Sequence, residues 1–289
     1  MSMKSSGQNT YAMKLTVITI NYNNLTGLKK TFESVFNQTV REFEYIVIDG
    51  GSTDGSVNEI LSQKDKIDYC LSEPDRGVYD AMNKAIKVAS GEYCIFMNSG
   101  DCFYTNDVVE NVLTCLDGTD IVYGNTHYTD GKIRYSKDEP DLLSFFYVSC
   151  WCHQSTFIKT SLLKKYLYDD TLRIVADWKF LLQTVIKDNC SFKAIDQNVS
   201  LYDSTGISST NKELYEKERT LVLNEMFTNR EIEDYQRLVY GYTWDEKLYA
   251  EMKHSKYHGL LYTMNVMFIK ILCLFKRNST WIDKYPTKL

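Results

Sequence analysis

Proline is scarce, at 3 residues in a chain of 289. So few prolines exclude long extended linkers and leave room for one large domain, or one domain with an added helical part. Positive charge is not in excess either. Lys and Arg number 33 against 38 Asp and Glu, for a net charge of −5, which excludes a general nucleic-acid binder because that function needs a basic surface. Paired cysteines are also missing. Of 8 cysteines, only Cys150 and Cys152 stand close together, and no second pair lies at zinc-site spacing. The thiols therefore read as reduced and mostly buried in a cytoplasmic protein. No signal peptide opens the chain, and residues 1–13 read as a disordered leader. What is present is an ordinary soluble balance, 44% hydrophobic and 25% charged, sufficient for a large core.

Short apolar runs predict strands over 15–20, 43–48, 67–71 and 93–97. Helices are predicted between them. One covers 25–37, with Leu28, Phe32, Val35 and Phe36 at helical spacing. A short one carries Val57, Ile60 and Leu61, and another covers 78–89, with Ala81, Met82, Ala85 and Ile86 along one face. Four strand–helix alternations imply right-handed crossovers and a mostly parallel sheet. The pattern then changes. A helix over 108–116, a strand over 120–123, and a hairpin over 126–135 turning at Asp130-Gly131 are expected. Helices over 162–167 and 174–186 and a late strand over 199–202 follow. From Lys212 the chain is charged and helix-rich. Residues 259–275 are apolar but interrupted by Asn265 and Lys270, too short for a spanning helix of about 20 residues; a core helix and an interfacial helix with basic residues at lipid headgroups are both open readings.

Chemistry-bearing residues gather where strands end. The segment Glu92-Tyr-Cys-Ile-Phe-Met-Asn-Ser-Gly-Asp101 is an apolar strand that presents an acid after a small Ser-Gly step, which is how an open sheet delivers a ligand-binding group to its carboxyl edge. Asp49 ends the second strand in the same way. Asn21 and Tyr22 end the first, where polar groups and an aromatic ring suit a base or ribose; Asn23 or Asn24 as a helix N-cap is the competing reading. The glycines after Asp49 permit close backbone approach to a ligand, while Asp54 suits a cap. In Glu73-Pro-Asp-Arg-Gly-Val-Tyr-Asp-Ala-Met-Asn83, the Arg76 fork suits phosphate oxygens. Asp80 and Asn83, three apart, share a helix face. A solvated loop with a surface ion pair is the alternative for this segment.

Four of these stretches, in order, resemble the successive motifs of family 2 glycosyltransferases. They are Thr16-Val-Ile-Thr-Ile-Asn-Tyr-Asn23, Ile48-Asp-Gly-Gly-Ser-Thr-Asp-Gly-Ser56, Asp75-Arg-Gly-Val-Tyr-Asp-Ala-Met-Asn-Lys84 and Gly91-Glu-Tyr-Cys-Ile-Phe-Met-Asn-Ser-Gly-Asp101. The resemblance implies a GT-A fold, a nucleotide-sugar-binding α/β sandwich over 14–210, followed by a helical extension over 211–289. It places Thr19, Asn21, Tyr22 and Asp49 at the nucleoside, Arg76 at the nucleotide, Asp80 and Asn83 in the donor pocket, and Asn98 to Asp101 at the Asp-x-Asp metal motif with Ser99 beside the donor. Asn98 and Gly100 stand where that motif has acids, so Asp101 alone remains as a charged ligand for Mg²⁺ or Mn²⁺. Further on, Cys152-His-Gln-Ser-Thr-Phe157 and Val175-Ala-Asp-Trp-Lys-Phe-Leu-Leu182 resemble segments bordering the acceptor cleft, with Asp177 at the catalytic base's position and Ala176 where an acid often precedes it. His153 is implied near the phosphates or the acceptor, with a core or surface histidine as the other reading. Trp178 is implied as a stacking platform for a sugar, with a packed core indole as its alternative. Tyr202 to Ser209 resembles the stretch that closes the catalytic domain.

The resemblance implies a metal-dependent, inverting transfer from a UDP-sugar to a glycan or lipid-linked saccharide in cell-surface polysaccharide synthesis. It also implies a cytoplasmic location with peripheral contact at the inner membrane and no nucleic-acid partner. Two other readings stand beside it: a nucleotidyltransferase acting on a sugar phosphate, and a carbohydrate-binding homologue without catalysis.

Overall fold

A computed structural model describes residues 13–138, 146–147, 149–202, 211–240, 256–257, 259–260, 263–264 and 266–268. The strands are β1 (Leu15–Asn21), β2 (Glu44–Asp49), β3 (Tyr69–Ser72), β4 (Tyr93–Phe96), β5 (Cys102–Phe103), β6 (Ile121–Tyr128), β7 (Ile133–Arg134), β8 (Thr156–Lys159) and β9 (Phe192–Tyr202). The helices are α1 (Leu25–Phe36), α2 (Ser56–Ser62), α3 (Val78–Val88), α4 (Val108–Leu113), α5 (Thr160–Tyr166), α6 (Ala176–Leu181), α7 (Lys212–Met226) and α8 (Asn229–Tyr240). Among the described residues the strands form one sheet in the order β3-β2-β1-β4-β8-β6-β9-β5, with β7 paired to β6.

The four predicted strands make the parallel half, β3-β2-β1-β4. β1, β2 and β4 are buried almost throughout because both of their faces are covered, whereas the edge strand β3 is only partly covered. Leu15, Val17, Tyr45, Val47, Tyr93, Ile95 and Met97 point to one face and share a core with Leu28, Phe32 and Val35 of α1 and with Val108, Val109 and Val112 of α4. Alternate residues meet α3 on the other face, where the Phe96 and Tyr79 rings both contact Tyr168. Beyond β4 the pairing is mixed: β8 runs antiparallel to β4 and β6, and β9 runs parallel to β6. The expected hairpin closes between β6 and β7. The late strand begins at Phe192, earlier than its apolar end suggested, because residues 192–194 pair in parallel with Ile121–Tyr123 of β6; farther along, Asn125 donates to the side chains of Asp196 and Asn198.

Two turns settle open capping questions. Asn24, not Asn23, caps α1 by accepting from the Gly27 amide at 3.0 Å. The N-cap of α2 is Gly55 rather than Asp54; Asp54 instead accepts from the Ser56 and Leu25 amides, at 3.0 and 2.8 Å, and so ties the start of α2 to the start of α1.

The chain forms two compact units that divide between Glu225 and Met226. Nearly all of α7 therefore belongs with the sheet, whereas the sequence expectation ended that domain at residue 210. In the second unit a reciprocal Thr228–Glu231 cap starts α8. Within the predicted apolar segment 259–275, Leu260, Met264, Met267 and Phe268 are exposed; its other apolar residues, except Val266, lie outside the described residues, as do the Gly206 stretch and residues 1–12 of the leader. No helix among the described residues is long and apolar enough to cross a membrane. The seven described cysteines are all free.

Candidate active site

Two clefts open at the carboxyl ends of the parallel strands. One, of about 720 Å³, is lined by Ile20, Tyr22, Gly50, Pro74, Asp75 and Arg76. The other, of about 580 Å³, is lined by residues that include Tyr79, Asp101, His153, Gln154, Asp177 and Trp178. Asn24, Val78, Asn98, Ser99 and Arg173 line both, so the clefts share a wall.

The polar strand ends behave differently from one another. Tyr22 is 65% exposed and offers an open ring to the first cleft. Thr19, Asn21 and Asp49 do not line either cleft. Thr19 is buried and bonded to Tyr45 and to the Met97 carbonyl. Asp49 is buried, and its carboxylate accepts from Asn21 Nδ2 (2.7 Å), Ser52 Oγ (2.6 Å), Ser72 Oγ (2.7 Å) and the amides of Gly51 and Ser52. Burial alone would raise its pKa, but the hydrogen bonds from Ser52, Ser72 and Asn21 outweigh that and hold it below the usual carboxylate value. Asn21 in turn accepts from Ser99 Oγ at 2.8 Å, so this network braces the shared wall from behind.

Helix α3 turns a different face to the cleft from the one its sequence suggested. Val78, Tyr79 and Met82 line it, while Asp80 and Asn83 are spent elsewhere. Asp80 holds the Arg76 amide and guanidinium at 3.1 and 3.0 Å. Both amide atoms of Asn83 clasp the backbone of Tyr168 at 2.8 Å. Spacing by three correctly puts two residues on one side of a helix but does not say which side meets the ligand. Arg76 reaches the first cleft, yet its guanidinium is also paired with Asp170.

The segment that follows β4, Met97 to Asp101, stays paired with β1 through the Ser99 amide, then turns at Gly100, whose φ of +111° suits glycine. Thr31 fastens the turn from beneath, accepting from the Gly100 amide and donating to the Asp101 carbonyl. The Asp101 side chain is buried and accepts from Gln154 Nε2 at 3.2 Å. Asn98 Oδ1 is buried with no hydrogen-bond partner, an orphan that calls for a ligand.

Asp177 sits in the first turn of α6. Its Oδ1 accepts from its neighbour's amide, Trp178 N, at 2.9 Å and from the Tyr79 hydroxyl at 3.0 Å; Oδ2 meets His153 Nδ1 at 3.2 Å. The other ring nitrogen of His153 lies 3.3 Å from Asn98 Nδ2. A chain Asp177–His153–Asn98 thus joins the helix to the segment that follows β4. Burial pulls the His153 pKa down, but the Asp177 hydrogen bond and charge, with Asp101 adding to them, raise it above the ordinary 6.5. Burial and the Asp177 charge push the Tyr79 phenol far up, which keeps it a donor. Trp178 lines the second cleft but is packed as a core indole: it is buried, its Nε1 donates to the Phe146 carbonyl at 2.6 Å, and the Arg219 guanidinium covers its ring at 3.9 Å.

Several site residues escaped sequence reasoning. Tyr79 and Gln154 sat inside quoted motifs without a role. Arg173 and Glu218 carried no signal. Glu218, buried on α7, accepts from the amides of Arg173 (2.7 Å), Ile174 (2.9 Å) and Val175 (3.3 Å), the residues leading into α6.

The sequence model of glycosyl transferase family 2 matches residues 16–187. An uncharacterized glycosyltransferase of Mycobacterium tuberculosis is 36% identical over 209 residues, which cover 69% of this chain and 79% of the relative. Among solved structures, S. aureus TarS 1–349 in complex with UDP-GlcNAc superposes with a TM-score of 0.62 at 18% identity, covering 86% of this chain and 75% of that one. The chain spans 45% of the longer TarS structure. The mannosyltransferase PcManGT from Pyrobaculum calidifontis, in complex with GDP-Man and Mn²⁺, superposes with a TM-score of 0.51 at 18% identity, covering 73% of this chain and 61% of that one. These superpositions establish a GT-A-like fold.

Proposed function

The chain belongs to glycosyl transferase family 2, and from that premise we propose that it transfers a sugar, with inversion, from a UDP-sugar to a hydroxyl of a glycan or lipid-linked saccharide in cell-surface polysaccharide synthesis. The observation that carries this reading is Asp177, a carboxylate oriented by three donors in a cleft that shares its wall with a second, aromatic-edged cleft. The first cleft, with Tyr22 exposed, takes the nucleoside. The second takes the donor sugar and acceptor.

Asp177 accepts the proton of the acceptor hydroxyl as that oxygen attacks the anomeric carbon from the face opposite the diphosphate. The new glycosidic bond forms as the bond to the diphosphate oxygen breaks, and the electron pair leaves with the nucleoside diphosphate. Trp178 N–H and the Tyr79 hydroxyl fix the carboxylate's direction, and Oδ2 faces His153.

A divalent cation fits the donor set. The Asp101 carboxylate and the orphaned Asn98 Oδ1 are hard oxygen donors of the kind Mg²⁺ and Mn²⁺ prefer. Among the described residues no cluster of three or more acidic, His or Cys ligands exists, so donor oxygens and water would supply the remaining positions. When bound, the ion offsets charge on the departing diphosphate.

The test is incubation with radiolabelled nucleotide sugars, Mn²⁺ and saccharide acceptors. Nucleoside diphosphate release coupled to acceptor labelling is expected, and Asp177→Asn should lower turnover by about 100-fold or more. Near-normal turnover in that variant would remove Asp177 from the role.

We further propose a cytoplasmic location with peripheral membrane contact through the segment at 259–277. Its exposed Leu260, Met264, Met267 and Phe268 recur at helical spacing, with Lys276 and Arg277 following in sequence. Removing the chain after residue 258 should abolish co-sedimentation with anionic vesicles; unchanged recovery would refute the contact.

A further inference from the structure

We propose that Arg173 grips the donor's diphosphate, the part for which the guanidinium fork of Arg76 is suited by its chemistry. The inference rests on the nucleotide-sugar reading above and concerns a residue outside the donor motifs.

The two arginines lie against each other, and their partners differ. The Arg76 guanidinium is paired with two carboxylates, Asp80 at 3.0 Å and Asp170. An incoming diphosphate would have to compete with both. Arg173 forms no ion pair among the described residues, and its guanidinium donates through Nη1 to the Arg76 carbonyl. A guanidinium has five N–H donors in a fork matched to phosphate oxygens, so most of this fork is uncommitted. Arg173 is exposed and lines both clefts, on the wall it shares with Asn98 and Ser99. A diphosphate joining a nucleoside in one cleft to a sugar in the other must cross that wall.

The local backbone is built for this placement. Gly77 has φ +129°, and a Cβ there would lie 2.4 Å from Arg173 Nη1. A side chain at residue 77 would therefore evict the guanidinium. From the other side, the Glu218 carboxylate holds the amides of residues 173, 174 and 175. Arg173 and Asp177 are thus carried on one pinned segment, four residues apart. The cation that meets the leaving group and the carboxylate that meets the acceptor are fixed to each other.

The test is calorimetric titration of the full chain with UDP, GDP, ADP and dTDP in Mn²⁺, and with the matching nucleosides. Wild type should bind one diphosphate. Arg173→Ala should weaken that diphosphate by about tenfold or more, the worth of a hydrogen bond to a charged group, and leave nucleoside affinity unchanged. Arg173→Lys should recover part of the loss, and Arg76→Ala should cost less than about threefold. If the alanine variant does not fold, Arg173→Gln removes the charge while keeping a donor for the Arg76 carbonyl, and the same tenfold loss is expected of it. Undiminished diphosphate affinity in the folded variant, or an equal loss for the nucleoside, overturns the inference and leaves the family reading standing. Failure of wild type to bind any diphosphate overturns both.

Discussion

The two walls of the cleft are held by opposite means. On the strand-edge side, Asn21, Asp49, Ser52, Ser72 and Ser99 satisfy one another at the ends of neighbouring parallel strands. On the α6 side, the segment carrying Arg173 and Asp177 is fixed from far along the chain by α7. Glu218 bonds its backbone, Arg219 covers Trp178 and donates to the Tyr147 carbonyl, and Glu225 pairs with Lys179. The first wall is a network of side chains that satisfy one another at the sheet edge. The second is a clamp on the backbone of the segment that carries Arg173 and Asp177. A helix that reads as a surface extension therefore holds one wall of the cleft.

That contrast can be broken by a matched pair of substitutions. Glu218→Ala should lower kcat of the folded protein by about 100-fold, since small misplacements of a catalytic group cost that much, with nucleoside affinity little changed. Asp49→Ala leaves buried donors unpaired and should instead cost about 1–3 kcal/mol of stability, read by denaturant unfolding, with kcat close to normal in whatever remains folded. A reversal of these two outcomes would show that the walls do not divide the labour this way. The Asp49 contribution has a defined sign. Because its pKa is depressed in the folded state, it is present above the ordinary value of 3.8 and is lost as pH falls through the folded value.

A smaller effect sharpens the link between the walls. His153 has a raised pKa, so lowering the pH places a positive charge beside Asp177, where the proposed mechanism brings the acceptor's proton. Turnover should rise with pH through a midpoint above 6.5. His153→Gln should move that limb to lower pH while lowering the plateau by about tenfold or less. An unmoved limb would show that another group sets it.

The sequence made the parallel half legible because each of its strands is an apolar run bounded by turn residues, and local pattern suffices for that. Motif position singled out Asp101 and Asp177, and both line the same cleft. The phase of α3 was not legible. Asp80 and Asn83 share a side, but packing against β1 and β2 decided that Tyr79 and Met82 face the cleft. Glu218 was not legible either. Its helix is rich in charged residues, and a buried carboxylate among them looks like any solvated acid until the amides it accepts from are in place. Arg76 and Arg173 show the same limit, since a guanidinium's availability depends on which carboxylates fold back onto it.

By itself, the sequence determined the family, the strand–helix alternation and the chemical types gathered at the strand ends, because these follow from periodicity and from ordered motifs within one half of the chain. Only the tertiary structure decided which of those polar groups are consumed in holding the wall and which are left facing the cleft. Hydrogen-bond partners for buried groups come from residues distant in the chain, as with Asn83 and Tyr168 or Glu218 and Ile174. A polar side chain's role is set by the partners that folding brings to it.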